Sequence, residues 1–189
     1  MAIHLNRIYT RSGDGGKTGL GDGSRVPKHS LRVATYGTVD ETSSVLGLAR
    51  AHDPEGPLAA LIQEVQNDLF DVGSDLCVPG EMGASLRLPA AYTERLEAHI
   101  DRLNADLESL DSFILPGGTL VAAYLHQGRT VCRRAERLAI ELTEAEGEEH
   151  VNPEVVRYLN RLSDLLFVMA RKANDDGRSD VLWKPGANG

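Results

Sequence analysis

The chain is expected to fold as an all-α bundle of five helices, and two observations carry that expectation. Aromatic residues make up only 5% of the 189 residues while Leu and Ala are plentiful, a balance that favours helix over sheet. Between breaks rich in Gly and Pro, apolar residues recur at spacings of four and three, the period of a helix with one buried face. A chain of this length can bury one substantial core, so a single domain is expected. Its parts are an arm over 1–32, the helical bundle over 33–178 and a tail over 179–189.

The arm differs from everything after it. A short strand is expected over Leu5–Tyr9, followed by TRSGDGGKTGLGDGSRV. Gly13, Gly15, Gly16, Gly19, Gly21 and Gly23 fall within eleven positions. Such a segment cannot build a core, is costly to order and exposes N–H groups able to cradle an anion. Thr10, Arg11, Ser12, Lys17 and Thr18 add donors. A loop that orders on a phosphate-bearing ligand is the functional reading; an arm with no role is the alternative. Gly16-Lys17-Thr18 is not a phosphate-binding P-loop, because position 11 is Arg where that motif requires Gly, and glycines continue where a helix should begin.

The first helix is expected over 33–51, with Tyr36, Asp40, Ser44 and Gly47 on one face and the small residues Ser43, Ser44 and Gly47 allowing close helix approach. Asp40 and Glu41 serve either the helix dipole or a distant arginine. After the break DPEGP, Leu58, Ile62, Val65, Leu69, Val72 and Leu76 form a bundle seam. Beyond the connection Pro79–Pro89, Thr93 is expected to cap a third helix with the seam Leu96, Ile100, Leu103, Leu107 and Leu110. His99 and His126 stand alone, and no Cys/His group has zinc spacing.

The fourth helix follows Phe113 and the turn Pro116-Gly117-Gly118, with Thr119 as its cap. Tyr124, Gly128, Val131, Ala135, Leu138 and Leu142 form its buried stripe. Rotated about a quarter turn lie Arg129, Arg133, Glu136 and Arg137. Forked guanidinium donors at this spacing suit phosphate or carboxylate oxygens. A solvated face with local ion pairs such as Arg133–Glu136 is the alternative. Asn152 caps the fifth helix with Pro153 at its first position; Val155, Val156, Leu159, Leu162, Leu166, Met169 and Ala173 face the core. Asn160, Ser163, Asp164 and Arg171 are expected on its polar side, and Asn160 is either a surface amide or a base-reading donor and acceptor. Trp183 is expected to dock the tail on the bundle.

Net charge is −8, which disfavours non-specific nucleic-acid binding, so an anionic ligand needs local basic clusters; Arg25–Arg32 and Arg129–Arg137 are two. Cys77 and Cys132 read as buried free thiols in a reducing compartment. The N-terminus lacks a signal-peptide core and no apolar run reaches about 18 residues, so a cytoplasmic protein without membrane spans is expected.

Taken in order, YTRSGDGGKTGLGDGSRVPK, YGTVDETSS, FILPGG, RTVCRRAERL, YLNRLSDLLFVMAR and the closing VLW resemble the PduO-type ATP:cob(I)alamin adenosyltransferases, the trimeric class that makes adenosylcobalamin. The resemblance spans nearly the whole chain. It implies a five-helix bundle, a homotrimer with active sites between subunits, and an arm that closes over ATP. It implies nucleotide contacts from Thr10, Arg11, Ser12, Gly13, Lys17, Thr18 and Lys28. Arg133, Glu136 and Arg137 would hold the triphosphate and its Mg²⁺, with Glu136 as metal ligand, and Asn160 would join the nucleotide pocket. Asp40 and Arg129 correspond to a salt bridge across the subunit interface. Phe113, an ordinary core residue on its sequence context alone, corresponds to the aromatic ring under the corrin. The implied partners are ATP and cob(I)alamin; a flavin reductase and an adenosylcobalamin-dependent enzyme are further partners that the sequence does not identify. Gly15, Gly16, Gln127 and Gly128 depart from the family pattern. Two other functions are weighed against this one: a phosphotransferase using the arm, and a non-catalytic helical assembly that senses nucleotide or delivers corrinoid.

Overall fold

The computed structural model describes residues 8–80 and 86–187. The expected strand at Leu5–Tyr9 lies largely outside them; Ile8 and Tyr9 are not in a strand. Part of the arm, expected as a loop, is regular structure. It forms an antiparallel hairpin, β1 (Lys17–Gly19) against β2 (Arg25–Pro27), with Thr18 opposite Val26. Asp22 closes the turn by accepting from Ser24 N at 2.9 Å and Ser24 Oγ at 2.7 Å, a side-chain mimic of a backbone turn. Leu20 is buried beneath the hairpin, and Gly21 N donates to Cys77 O at 2.9 Å.

Five helices follow: α1 (Leu31–His52), α2 (Ala59–Leu76), α3 (Ala90–Asn104), α4 (Leu120–Glu146) and α5 (Pro153–Ala173). Helix α4 packs between α1 and α5, antiparallel to both; α2 flanks α1 and α3 flanks α5. The α2 seam is buried at all of its expected positions. Gly128 sits where α1 crosses, and a Cβ there would approach Leu46 Cδ2 to 3.1 Å; its absence lets the two helices close.

Both expected helix caps at the site end of the sequence are formed. Thr119 accepts from Ala122 N at 3.1 Å, and Asn152 Oδ1 accepts from Glu154 N at 3.1 Å. Thr93 is not a cap: α3 begins three residues earlier, behind Pro89, and Thr93 lies within it. The α3 seam is also shorter than expected. Leu96 is buried, Ile100 and Leu103 are partly buried, and Leu107 and Leu110 lie beyond the end of the helix. Ionic anchoring supplements this short seam: Arg95 bridges to Glu64 and to Asp68, and Asp68 also accepts from Tyr158 Oη at 3.0 Å. Ser163 and Arg171 are buried rather than on the polar side of α5, each with its own partner. Cys132 is buried as expected and donates to Leu159 O at 3.2 Å, whereas Cys77 is only half-buried.

His126 is buried in α4 with neither ring nitrogen hydrogen-bonded among the described residues, and it packs edge-on against Phe167 at 6.2 Å. Burial, reinforced by the Arg129 charge, pushes its pKa below the usual imidazole value. The unfolded chain therefore binds a proton near pH ~6.5 that the folded chain refuses. Its contribution to stability is complete above that pH and is lost as pH falls towards the lower folded value. Thermal melting is expected to show stability declining below pH ~6.5, with a smaller decline in His126→Phe.

Candidate functional site

The arginine ridge of α4 faces outward. Arg133 and Arg137 are exposed, and among the described residues neither makes a hydrogen bond or an ion pair. The local pairing weighed from sequence is not formed. Glu136 instead accepts from Asn160 Nδ2 on α5 at 2.8 Å, which brings two of the expected site residues together across helices. The carboxylate that does reach an arginine of α4 is Glu41, which pairs with Arg134. A distant arginine is one of the two readings of Glu41, but with 93 positions between the members the spacing could not say which arginine.

Arg129 sits deeper. Its Nε is buried without a partner among the described residues. Burial, then the neighbouring Arg133 charge, pulls its pKa below the usual guanidinium value. Asp40 is exposed and lies ten residues into α1, so it does not cap the helix dipole. Within the chain Asp40 and Arg129 are not paired.

In the arm, Thr10 Oγ1 and Ser12 Oγ are 2.8 Å apart, and Arg11 adopts φ 61° with its guanidinium 5.7 Å from the Tyr9 ring. Arg25 binds Ser12 O at 2.7 Å and Lys17 O at 3.0 Å, cinching the loop over Gly13. Lys28 Nζ lies 3.0 Å from where a Gly13 Cβ would be, so Gly13 leaves room for the ammonium group. Thr18 is half-buried and Lys17 is exposed. The basic cluster Arg25–Arg32 divides: Arg25 supports the arm, but Arg32 is buried and committed to Glu146, Leu76 O and His150 O. No hydrogen bond or ion pair among the described residues joins the arm to the α4 ridge.

Phe113 is not a core residue. It is 77% exposed, on a non-helical segment before α4, with the Trp183 ring 6.1 Å away. Trp183 docks the tail on this segment, where its backbone N–H donates to Phe113 O at 2.7 Å, and it lines a shared cavity with Phe167 of α5.

A divalent cation has a restricted fit. Among the described residues no cluster of three or more His, Cys, Asp or Glu could hold one. Glu136 offers a single carboxylate between arginines, which suits a Mg²⁺ held mainly by phosphate oxygens and water rather than by a protein cage. Among the described residues, no helix is long and apolar enough to cross a membrane.

Comparison with known proteins identifies the family of the chain. A family model described as cobalamin adenosyltransferase matches residues 8–173. The corrinoid adenosyltransferase of Mycobacterium tuberculosis is 47% identical over 192 residues, covering 100% of this chain and 98% of that one. The cobalamin adenosyltransferase of Cupriavidus metallidurans is 49% identical over 187 residues, with 97% of each covered. Among solved structures, a phenylalanine-to-alanine variant of the PduO-type ATP:corrinoid adenosyltransferase from Lactobacillus reuteri, complexed with cobalamin and ATP, superposes with a TM-score of 0.86 at 37% identity, covering 94% of this chain and 99% of that chain.

Proposed function

This chain belongs to the cobalamin adenosyltransferase family, and from that membership we propose how its residues transfer the adenosyl group of ATP to the cobalt of cobalamin. The enzyme is a transferase. Cobalt(I) donates an electron pair to the ribose C5′ of ATP, the C5′–O bond breaks, and its electrons leave on triphosphate. The nucleophile is the metal of the substrate, so the protein needs no Ser, Cys or Lys nucleophile. Its task is to place two substrates and to stabilise charge on the leaving group.

The observation that carries this reading is the α4 ridge. Arg133 and Arg137 stand one turn apart, exposed and unspent on any acceptor among the described residues, beside a Glu136 oriented by Asn160. Two free guanidinium groups match the oxygens of a triphosphate, and their charge is most valuable when the bridging oxygen becomes anionic. Mg²⁺ held by Glu136 would supply further charge neutralisation on the phosphates. The arm contributes Thr10, Arg11, Ser12, Gly13, Lys17, Thr18 and Lys28 to the nucleotide, and Asn160 completes its pocket. Phe113 meets the corrin.

The site is proposed to lie between subunits of a trimer. Support comes from groups left unsatisfied among the described residues of one chain: the buried, unpartnered Nε of Arg129, the unpaired Asp40, and an arm with no hydrogen bond or ion pair to the ridge it serves. Pairing Asp40 with Arg129 of the adjacent subunit answers the first two. Arg129→Ala then strands Asp40 at the interface and is expected to weaken the trimer by about 3 kcal/mol if that pair is desolvated, seen as dissociation in sedimentation at lower dilution. Unchanged sedimentation and activity would mean the pair is solvated.

The direct test is to incubate the protein with ATP, Mg²⁺ and anaerobic cob(I)alamin. Release of triphosphate together with the absorbance change of a new cobalt–carbon bond is expected. A phosphorylated acceptor, or no release, would refute it.

A further inference from the structure

The reaction described above makes no use of a buried knot behind Phe113. Asp180 and Arg171 are ion-paired at 3.0 Å with side chains 3% and 6% exposed. The second Asp180 oxygen accepts from Asn174 Nδ2 at 3.0 Å. Asn174, itself buried, also donates to Gly117 O at 3.2 Å and accepts from Thr119 N at 3.0 Å. The remaining Arg171 fork reaches Glu108 O at 2.9 Å. Four parts of the chain converge here: the end of α5, the tail, the segment after α3 and the turn into α4.

Glycines are required around it. Gly118 has φ 102°, and a Cβ there would collide with the Asn174 amide; Gly177 has φ 80° and lies against Arg171. Both positions demand the left-handed backbone and the missing side chain.

From this knot the tail runs back along Phe113. Leu115 N donates to Val181 O at 2.8 Å, Trp183 N donates to Phe113 O at 2.7 Å, and Ser112 Oγ donates to Trp183 O at 2.8 Å. Ile114 and Leu182 form an antiparallel bridge between them. The outcome is an aromatic ring that remains 77% exposed on a backbone held from one side along its length. A buried ion pair is weak evidence for stability, because desolvation offsets much of its attraction. A carboxylate gripped at each oxygen by a different side chain does, however, have one position. Such a device suits geometry more than stability.

We propose that Asp180 is a positioning residue: locked by Arg171 and Asn174, it fixes the tail as a splint that holds Phe113 towards the corrin. This rests on the reading of Phe113 as the corrin-facing ring.

Asp180→Asn keeps the shape and removes the charge. It is assayed in the full-length protein from two starting points: pre-reduced cob(I)alamin, and cob(II)alamin with a chemical one-electron reductant. The rate from cob(II)alamin is expected to fall about tenfold or more, and the rate from cob(I)alamin and the affinity for ATP to change less than about threefold. Emission from Trp183, the single tryptophan of the chain, is expected to shift red as the tail is released. Unchanged rates, or equal proportional losses in both assays, overturn the proposal. If Asp180→Asn does not fold, Trp183→Pro decides: it deletes the N–H bound to Phe113 O at a half-exposed position without stranding a charge, and the same split is expected. Equal losses there overturn it too. Phe113→Ala is run alongside. A split in that variant with none in the tail variants removes the splint alone; no split in Phe113→Ala removes the reading of Phe113 and the splint together.

Discussion

Arg133→Ala is expected to lower kcat by about 10²–10³-fold, the usual loss of about 3–4 kcal/mol when one donor to a developing oxyanion is removed. The structure makes this a clean experiment. Arg133 is exposed and has no partner among the described residues, so its removal strands no buried charge and opens no cavity. Melting temperature is expected to stay within the range of ordinary surface substitutions, about 0.5 kcal/mol. Because the guanidinium acts on charge that develops as triphosphate departs, the loss should fall on kcat more than on KM for ATP. Arg133→Lys keeps the charge without the fork and should recover only part of the rate. A near-normal kcat for Arg133→Ala would refute the role. A loss of folding would show instead that the ridge is structural, which its exposure argues against.

Phe113→Ala is expected to separate two assays that Arg133→Ala does not. Cobalt(II) carrying a lower axial ligand is hard to reduce. An apolar ring that displaces this ligand and excludes water leaves four-coordinate cobalt that accepts an electron more readily. Losing the ring should therefore slow the reaction from cob(II)alamin at least about tenfold more than the reaction from pre-reduced cob(I)alamin, a difference of about 1.4 kcal/mol. At 77% exposure Phe113 contributes little to the core of its own chain, so a general collapse of stability is not the expected explanation of either loss. Equal losses in both assays would reassign Phe113 to plain substrate binding.

Much of the chemistry near the ridge was legible because it is local. Residues four apart on a helix share a face whatever lies around them, so Arg129, Arg133 and Arg137 could be placed together from spacing alone. The α2 seam and the Thr119 and Asn152 caps followed from the same short-range rules. Where those rules misled, a long-range contact or a neighbouring residue had the stronger claim. Thr93 was passed over as a cap because Pro89 already stops the chain before α3. Leu107 and Leu110 continued the apolar period on paper, but the helix ends at Asn104 and the chain turns to meet Arg171 of α5 through Glu108 O. Arg171 has the composition of a surface residue on α5 and is buried because Asp180 arrives opposite it.

By itself the sequence determined the helical class, the buried stripes and the cationic ridge, since each depends on interactions spanning a turn or two of one helix. Tertiary structure alone decided which charged groups are spent and which are free. Arg32 and Arg171 are used inside the fold, Arg134 is taken by Glu41, and Arg133 and Arg137 are left open to solvent. That division rests on electrostatic pairing between residues far apart in the chain, whose distances exist only once the helices have packed.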